Sequence, residues 1–288
     1  MMLVSLPGGL LVFRVAFFCI AFIIQIAFLI RAKKSLGQHF LHEQSFAQRI
    51  ALAINPDTRR VTEIGPGTGM LSQFLVGRFD QLLLLEKDTV LCASLSERWH
   101  ATPGVTILEA DALTFDYKNF WGSHSFSLVG NFPYNISSQI VFMMLSLCDQ
   151  VPEMVGMFQY EMARRIVAGP GSKDYGIISV LTSAMYSGRM LFRVTAGAFN
   201  PPPKVESAVI RLERKSDYGL PCAFSSLQKV VRAAFGQRRK MLRNSLKSLI
   251  PNETLLSDAL FQRRPEHLAL GDFIDIALEY EALQQGGR

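Results

Sequence analysis

Cysteine, tryptophan and histidine are scarce in this chain of 288 residues, which contains four, two and five of them respectively. The cysteines are far apart in the sequence: Cys19, Cys92, Cys148 and Cys222. Because no C-x-x-C pair occurs, we expect unpaired thiols in a reducing compartment rather than a disulfide framework. His39 and His42 are close in sequence, but no cysteine or acidic cluster completes a zinc site, so we expect no metal centre.

Charge is nearly absent from residues 1–30, which contain one charged side chain, Arg14, and an apolar run interrupted by Gln25. A signal peptide is disfavoured, because no small-residue cleavage site precedes the basic residues at 31–34. One interpretation is a membrane anchor over residues 10–30, since about 20 apolar residues span a bilayer. The other is a spurious extension from an early start codon. Under either interpretation we expect the remainder of the chain to be cytoplasmic.

Beyond residue 60, short apolar runs alternate with longer amphipathic ones, which predicts a parallel sheet covered on both faces. The predicted strands are 60–64, 81–86, 105–109, 127–130 and 154–159, with a helix over 70–78 after the first. Strand patterns stop near residue 213, and helices are predicted over 225–250, 254–261 and 273–283. We therefore expect an α/β domain over 31–213 and a small all-helical domain over 214–288.

A glycine-rich turn follows the first predicted strand and contains Gly65 and Gly67. Glycines here let the backbone approach a ligand closely, although ordinary tight turns use the same device. Glu86 and Asp111 end the second and third strands, where carboxylates could hold a ribose and an adenine amino group. The alternatives are a solvated acid and a helix N-cap. The joint placement favours a nucleotide-type cofactor, and the G-x-G-x-G spacing resembles class I methyltransferases.

The fourth strand leads into Asn131-Phe132-Pro133-Tyr134. This Asn-x-Pro-Tyr segment resembles the signature of methyltransferases that act on the amino group of adenine. Oxygen acceptors on Asn131 and Pro133 could hold the two N–H groups and aim the nitrogen lone pair at a methyl donor. Tyr134 could stack on an adenine taken out of its helix. The alternative is an ordinary turn with a core tyrosine.

A run of basic side chains without any acid occupies residues 229–247: Lys229, Arg232, Arg238, Arg239, Lys240, Arg243 and Lys247. Apolar residues at helical spacing predict that these charges share the opposite face of one helix. Such a face points to nucleic-acid phosphate, the alternative being an incidental basic surface. We assign Arg238, Arg239, Lys240 and Arg243 to RNA binding, together with Lys204.

Eight ordered segments carry a close family resemblance: 35–41, 65–69, 85–88, 111–113, 130–137, 168–176, 199–209 and 235–246. They resemble the KsgA-type ribosomal RNA adenine dimethyltransferases, a family shared with the Erm resistance methylases. The resemblance covers residues 33 to about 280, and residues 1–30 have no counterpart in it. It implies a class I (Rossmann-like) methyltransferase fold with a small C-terminal all-helical RNA-binding domain, and S-adenosyl-L-methionine as cofactor. The implied reaction dimethylates N6 of two adjacent adenosines in the 3′-terminal hairpin loop of 16S rRNA.

The resemblance also implies a role for each matching residue. The cofactor residues would be His39, Leu41, Gly65, Gly67, Glu86, Asp111 and Asn131. The residues at the reaction site would be Asn131, Pro133, Tyr134 and Phe199, with Phe199 stacking on the target base opposite Tyr134. Two positions depart from the commonest pattern: His39 stands where many relatives have asparagine, and Phe132 where leucine is commoner.

The implied partner is 16S rRNA within an immature small ribosomal subunit, and the expected state is a monomer. One alternative is an Erm-type enzyme acting on large-subunit RNA, but residues 169–176 and 201–205 look more like the housekeeping branch. A non-catalytic ribosome assembly factor is the other alternative. The intact residues Asn131, Pro133 and Tyr134 argue against loss of catalysis.

Overall fold

The computed structural model describes residues 38–286 of the chain. Its strands are β1 (Phe40–Leu41), β2 (Arg60–Ile64), β3 (Gln81–Glu86), β4 (Val105–Glu109), β5 (Ser127–Asn131), β6 (Glu153–Gln159), β7 (Tyr186–Val194), β8 (Phe199–Asn200) and β9 (Ser207–Arg214). Seven of them form one sheet in the order β4-β3-β2-β5-β6-β9-β7, and β1 pairs with β8 in a small antiparallel sheet.

The helices flank this sheet and continue beyond its last strand. They are α1 (Gln44–Leu52), α2 (Thr89–Trp99), α3 (Tyr117–Trp121), α4 (Ser137–Ser146), α5 (Tyr160–Ile166), α6 (Ile177–Met185), α7 (Phe224–Gly236), α8 (Leu242–Ser245), α9 (Glu253–Leu256) and α10 (Leu270–Gly286). Single 3-10 turns occur at Ser72–Phe74, Tyr134–Ile136, Ala196–Ala198, Ala259–Gln262 and Pro265–His267.

The five predicted strands are confirmed as β2 to β6, and they are parallel to one another. The prediction of a purely parallel sheet is incomplete, because β9 and β7 add two strands at one edge. β9 runs antiparallel between β6 and β7, and its residues Ala208 to Ile210 are fully buried. The sheet is therefore mixed, as many α/β sheets with an antiparallel edge are.

The helix predicted over 70–78 is wrong, since only Ser72–Phe74 forms a single 3-10 turn. Gly69 and Gly77 bound this segment with φ of 79° and 77°, values that end regular right-handed structure. The side chains of Leu71 and Leu75 are nevertheless buried. The spacing of the apolar residues therefore predicted which side chains are buried, although no continuous helix forms.

The single helix predicted over 225–250 is also wrong. α7 ends at Gly236 and α8 begins at Leu242, with a turn between them. Gln237 leaves the helical conformation, with φ −127° and ψ 55°. The apolar face of α7 is buried as predicted. Arg238, Arg239 and Lys240 therefore lie on a connection rather than on one helix face.

The C-terminal helices share a hydrophobic core with one face of the sheet, through Tyr175, Leu227 and Phe273 among others. Phe235 contacts the rings of both Tyr175 and Phe273, with ring centroids 6.0 and 5.8 Å apart. The last strand ends at Arg214, and every regular element after it within residues 38–286 is helical. This packing seats the basic connection 237–241 against the α/β part of the chain.

The hydrophobic run over residues 1–30 lies outside the described residues, so its two interpretations stay predictions. Among residues 38–286, no helix is long and apolar enough to cross a bilayer. The same residues contain no cluster of three or more His, Cys, Asp or Glu side chains suited to a metal ion. Cys92, Cys148 and Cys222 are free thiols.

Candidate functional site

A cavity of about 190 Å³ opens at the carboxyl ends of β2, β3, β4 and β5. Ligands in open α/β sheets bind at this edge, where the strand order reverses. In this sheet the reversal lies between β2 and β5, which pair directly although two strands separate them in sequence. All seven residues predicted for the cofactor line the cavity: His39, Leu41, Gly65, Gly67, Glu86, Asp111 and Asn131.

The glycine-rich turn forms one wall of the cavity. Gly65 and Gly67 have φ of 65° and 60°, in the left-handed region where a side chain is strained. A Cβ on Gly67 would also lie 3.2 Å from the ring of Phe40. The two glycines therefore keep the backbone close to the cavity, as a bound ligand requires.

Glu86 is held at the end of β3 by the backbone of two loops. Its Oε2 accepts a hydrogen bond from the Gly67 N–H at 3.0 Å, and its Oε1 accepts one from the Asp88 N–H at 2.9 Å. The residue is 5% exposed, and burial raises the pKa of this carboxyl while the backbone N–H groups oppose the rise. A rigid, buried acceptor of this kind suits the two hydroxyls of a ribose.

Asp111 follows β4 and already has two partners. Its Oδ2 accepts a hydrogen bond from Lys87 Nζ at 2.7 Å, and its Oδ1 accepts one from the Leu113 N–H at 2.9 Å. The Lys87 ammonium is the main reason that the pKa of Asp111 is lowered. The carboxylate is thus fixed at the cavity wall as an acceptor, and Lys87 joins the site as a residue that the sequence interpretation did not assign.

Glu63 is a second unassigned residue of the cavity wall, two positions before Gly65. It is 1% exposed, and the Ser72 hydroxyl donates to its Oε2 at 2.7 Å. Burial raises the pKa of Glu63 to about 8, with the Ser72 hydrogen bond opposing and the Glu86 charge adding to the rise. The position of Glu63 near the end of a strand, just before the glycine-rich turn, could have indicated that it lies at the cavity. The sequence of this segment does not show that its carboxyl group is buried.

Glu63→Gln should make folding stability less sensitive to pH. The folded protein keeps a proton on Glu63 that the unfolded chain loses above its ordinary pKa of 4.5. Wild-type stability should therefore fall as the pH rises from 4.5 through about 8, and the glutamine variant should escape this loss. At pH 9 the variant should be the more stable by up to a few kcal/mol, since one pKa unit is worth about 1.4 kcal/mol.

Urea unfolding at pH 5 and pH 9 measures this effect, with the exposed Glu109→Gln as control. If wild type, Glu63→Gln and Glu109→Gln lost the same free energy of unfolding between these two pH values, the raised pKa of Glu63 would be contradicted.

Asn131, the last residue of β5, donates from Nδ2 to the His39 carbonyl at 3.0 Å. A carbonyl can only accept, which fixes the amide orientation. No donor to Oδ1 is present among residues 38–286, which leaves this oxygen able to accept a hydrogen bond at the cavity. The segment containing β1 therefore orients the predicted reaction residue.

Pro133 and Phe132 set the backbone beyond Asn131. The Phe132 ring is buried against Gly130 and Gly156, which pair with each other on neighbouring strands. A Cβ on either glycine would come within 2.8 Å of this ring. This space explains how phenylalanine fits there. The Pro133 carbonyl accepts from the Ser137 hydroxyl at 3.1 Å and the Ile136 N–H at 3.2 Å. Rotation of the Ser137 hydroxyl would release one lone pair for a substrate N–H.

Tyr134 is held from two sides. Its hydroxyl and that of the buried Ser207 are 2.6 Å apart, and its ring lies 5.4 Å from the His39 ring in a stacked arrangement. His39 Nδ1 is also 2.8 Å from the Pro201 carbonyl. Burial raises the pKa of Tyr134, so the phenol is neutral at physiological pH. One face of the predicted stacking residue is thus in contact with His39.

Phe199 is not brought to the cavity. It is 2% exposed, lies in β8 opposite Leu41, and packs in the hydrophobic core beneath β1. Its predicted stacking on a target base would require the β1–β8 pair to move. The apolar character of Phe199 did not distinguish a core position from a substrate contact.

The predicted RNA-binding residues divide into two groups. Lys204, Arg239, Lys240 and Arg243 are exposed. Arg238 instead donates from Nη2 to the Lys173 carbonyl at 2.8 Å and reaches the Ser172 carbonyl at 3.5 Å. The structure gives its guanidinium a bridging position between the basic connection and the loop before α6.

We expect Arg238→Ala and Arg239→Ala to differ in kind. Losing the Arg238 contacts should lower the free energy of unfolding by about 1 kcal/mol, since they link two segments that pack together. Losing Arg239 should leave stability unchanged, weaken RNA binding and reduce the slope of log affinity against log salt by about 1. Urea unfolding measures the stability of each variant, and RNA binding at several salt concentrations measures its affinity. If the two variants gave the same results in both measurements, the different roles of Arg238 and Arg239 would be contradicted.

Comparison with known proteins agrees with this geometry. The chain matches the family described as ribosomal RNA adenine dimethylase over residues 30–278. It is 44% identical over 254 residues to the ribosomal RNA small subunit methyltransferase A of Flavobacterium johnsoniae, covering 88% of this chain and 97% of that protein. The protein of the same name from Porphyromonas gingivalis is 44% identical over 252 residues, or 86% of this chain and 97% of that one.

Two solved structures share the fold. A dimethyladenosine transferase from Plasmodium falciparum superposes with a TM-score of 0.72 at 22% identity, covering 85% of this chain and 98% of its own. The 23S rRNA methyltransferase ErmE superposes with a TM-score of 0.63 at 26% identity, covering 82% of this chain and 98% of its own. The class I methyltransferase fold predicted from the sequence is thereby confirmed. Matched across most of its length, the chain belongs to the ribosomal RNA adenine dimethylase family.

Proposed function

We propose that this protein transfers methyl groups from S-adenosyl-L-methionine to N6 of two adjacent adenosines near the 3′ end of 16S rRNA. The observation that carries the proposal is the orientation of Asn131, whose Nδ2 is bound by the His39 carbonyl so that Oδ1 can accept at the cavity. The names of the relatives support small-subunit ribosomal RNA as the substrate.

The cavity residues fit this cofactor. Glu86 supplies a buried carboxylate for the ribose hydroxyls, and Asp111 with the Leu113 backbone lies where an adenine edge would bind. The left-handed Gly65 and Gly67 allow the close backbone approach that a methionine end needs. When bound, the cofactor supplies an electrophilic methyl group on a positively charged sulfur.

The protein's task is to make a poor nucleophile usable. The lone pair of an adenine amino group is delocalised into the ring, so acceptors at Asn131 Oδ1 and the Pro133 carbonyl favour a pyramidal nitrogen. Holding both N–H groups also aims the lone pair along the line of attack. Attack forms the N–C bond, and the C–S electrons stay on sulfur. The cationic nitrogen is then acidic enough to release its proton without a strong base.

Tyr134 positions the target base in this scheme. An adenine cannot reach the cavity from within a stacked helix, so it must be taken from a loop or flipped out. The Tyr134 phenol, fixed by Ser207, presents a ring on which the extruded base can stack. The exposed cations Arg239, Lys240 and Arg243 then hold the surrounding RNA through its phosphates.

We further propose that the substrate is an immature small subunit. The enzyme acts on it as a monomer, in the cytoplasm. The chain carries a net charge of +6, which favours a polyanionic partner. The Erm-type alternative has weaker support, because ErmE is 26% identical against 44% for the small-subunit enzymes.

Methyl transfer from labelled cofactor tests the proposal directly. We expect label in small subunits isolated from cells that lack this methylation, at the two adjacent adenosines, and none in naked large-subunit RNA. Label found only in large-subunit RNA would overturn the assignment of substrate. Absence of label in both RNAs, with the cofactor bound, would overturn the catalytic function.

A further inference from the structure

The half-buried Tyr160 and the exposed Arg193 lie beyond the cavity and have no part in the proposed reaction. The Cζ of Arg193 lies 4.1 Å from the centroid of the Tyr160 ring, and its Nη2 donates to the Tyr160 hydroxyl. The Arg193 side chain is nevertheless 59% exposed. The tyrosine therefore holds the guanidinium by a cation–π contact and one N–H, while more than half of the arginine side chain stays exposed. We call this pair the Arg–Tyr stack.

The Arg–Tyr stack lies at the same sheet edge as the reaction residues. Ser207, which hydrogen-bonds Tyr134, begins β9 between β6 and β7. It pairs with the residue before Tyr160 on one side and with the residue after Arg193 on the other. Neighbouring strands are roughly 5 Å apart, so the stack lies within one or two strand spacings of the residue that holds Tyr134.

The surrounding contacts make the stack rigid. The Tyr160 N–H donates to the Glu206 carbonyl at 2.9 Å, immediately before Ser207. Arg164 approaches the Tyr160 ring, with its Cζ 5.7 Å from the centroid, and is paired with Asp174. A side chain held in this way loses little freedom when a ligand binds to it.

Local charge favours a base over a phosphate as the ligand. Arg193 Nη1 has Glu206 Oε2 at 3.8 Å, and the Arg164 charge is matched by Asp174. The net attraction for a phosphate is therefore small here, in contrast to residues 238–243, which contain no acid. What the stack offers is a flat guanidinium face, and such faces stack on unpaired bases.

We propose that the exposed guanidinium of Arg193, held by Tyr160, stacks on the base of the nucleotide next to the target adenosine. This inference rests on the proposed function. Removing the target base from its stack leaves the neighbouring base without a partner on one side. The Arg–Tyr stack replaces that partner and so lowers the cost of presenting the adenosine.

Arg193→Ala tests the inference against a closely matched control, Arg189→Ala. Arg189 lies on the same strand, is 61% exposed and is paired with Glu213 at 3.6 Å, but stands four residues, about 13 Å, further from the cleft. With unmethylated small subunits, kcat/KM should fall about tenfold in Arg193→Ala, the scale of losing one stacked base. It should stay within about twofold in Arg189→Ala, where only the distant charge is lost.

Arg193→Lys keeps the positive charge without the planar face, so its loss should approach that of Arg193→Ala. Cofactor affinity by calorimetry and the thermal unfolding midpoint should match wild type in all three variants. Equal effects of Arg193→Ala and Arg189→Ala, or full activity in Arg193→Lys, would overturn the inference alone. A wild-type enzyme that binds cofactor but does not methylate the subunits would overturn the proposed function and this inference together.

Discussion

Asn131→Ala should lower kcat for methyl transfer by about 10²–10³-fold, the cost of removing one preorganised polar group from a reaction site. The variant loses the Oδ1 acceptor that, in the proposed mechanism, makes the adenine nitrogen nucleophilic. It also loses the Nδ2 hydrogen bond that ties β5 to the His39 carbonyl. RNA binding should remain within about threefold of wild type, because the basic side chains that we propose contact phosphate lie outside the cavity.

Single-turnover methylation of unmethylated small subunits measures the first effect, and filter binding to the same particles measures the second. Asn119→Ala, an exposed asparagine on α3, controls for a general effect of the substitution. If kcat in Asn131→Ala stayed within tenfold of wild type, the assigned chemistry would be wrong. If RNA binding disappeared together with activity, Asn131 would be a structural residue rather than a catalytic one.

Glu86→Gln should raise the Kd for S-adenosyl-L-methionine by about 100-fold or more. At the proposed site the ribose hydroxyls lose a carboxylate acceptor, and hydrogen bonds to charged groups contribute about 1.5–3 kcal/mol each. The amide group also turns an NH2 toward one of the backbone donors, Gly67 N–H or Asp88 N–H, that the carboxylate satisfies. Both consequences weaken the cofactor site and leave the RNA surface unchanged.

Calorimetric titration of the cofactor measures the loss. Glu109→Gln is the matched control, because Glu109 lies directly opposite Glu86 in the β3–β4 register but is exposed and bonded by Thr89. Its affinity should equal that of wild type. Equal Kd values for Glu86→Gln and wild type would show that the cofactor binds elsewhere.

Much of the site could be predicted because it follows from strand ends. Glu86, Asp111 and Asn131 each terminate or follow a parallel strand, and parallel strands bring their carboxyl ends to one edge. Sequence position along the strand therefore implied a position in space. The left-handed Gly65 and Gly67 belong to the same argument, since their residue type reports the backbone conformation directly.

Other residues could not be placed from their residue type. Phe199 and Arg238 belong to motifs that predict contact with RNA, yet one is buried in the core and the other binds the Ser172 and Lys173 carbonyls. An aromatic ring is equally stable in a core or on a base, and a guanidinium accepts backbone carbonyls as readily as phosphate. The carbonyls that Arg238 contacts lie more than sixty residues away along the chain. Phe199 pairs with Leu41 of β1, near the start of the described residues.

The sequence by itself determined the five parallel strands, the cofactor edge, the adenine-directed segment beginning at Asn131, and the family. Each depends on local pattern or on motif order. Only the tertiary structure decided the antiparallel strands β7 and β9, the burial of Glu63, and the partners of Asn131 and Tyr134. Burial and long-range pairing set these features, and neither is encoded by neighbouring residues alone. For the same reason Arg193 and Tyr160, separated by 33 residues, became a joint surface only when the sheet brought them together.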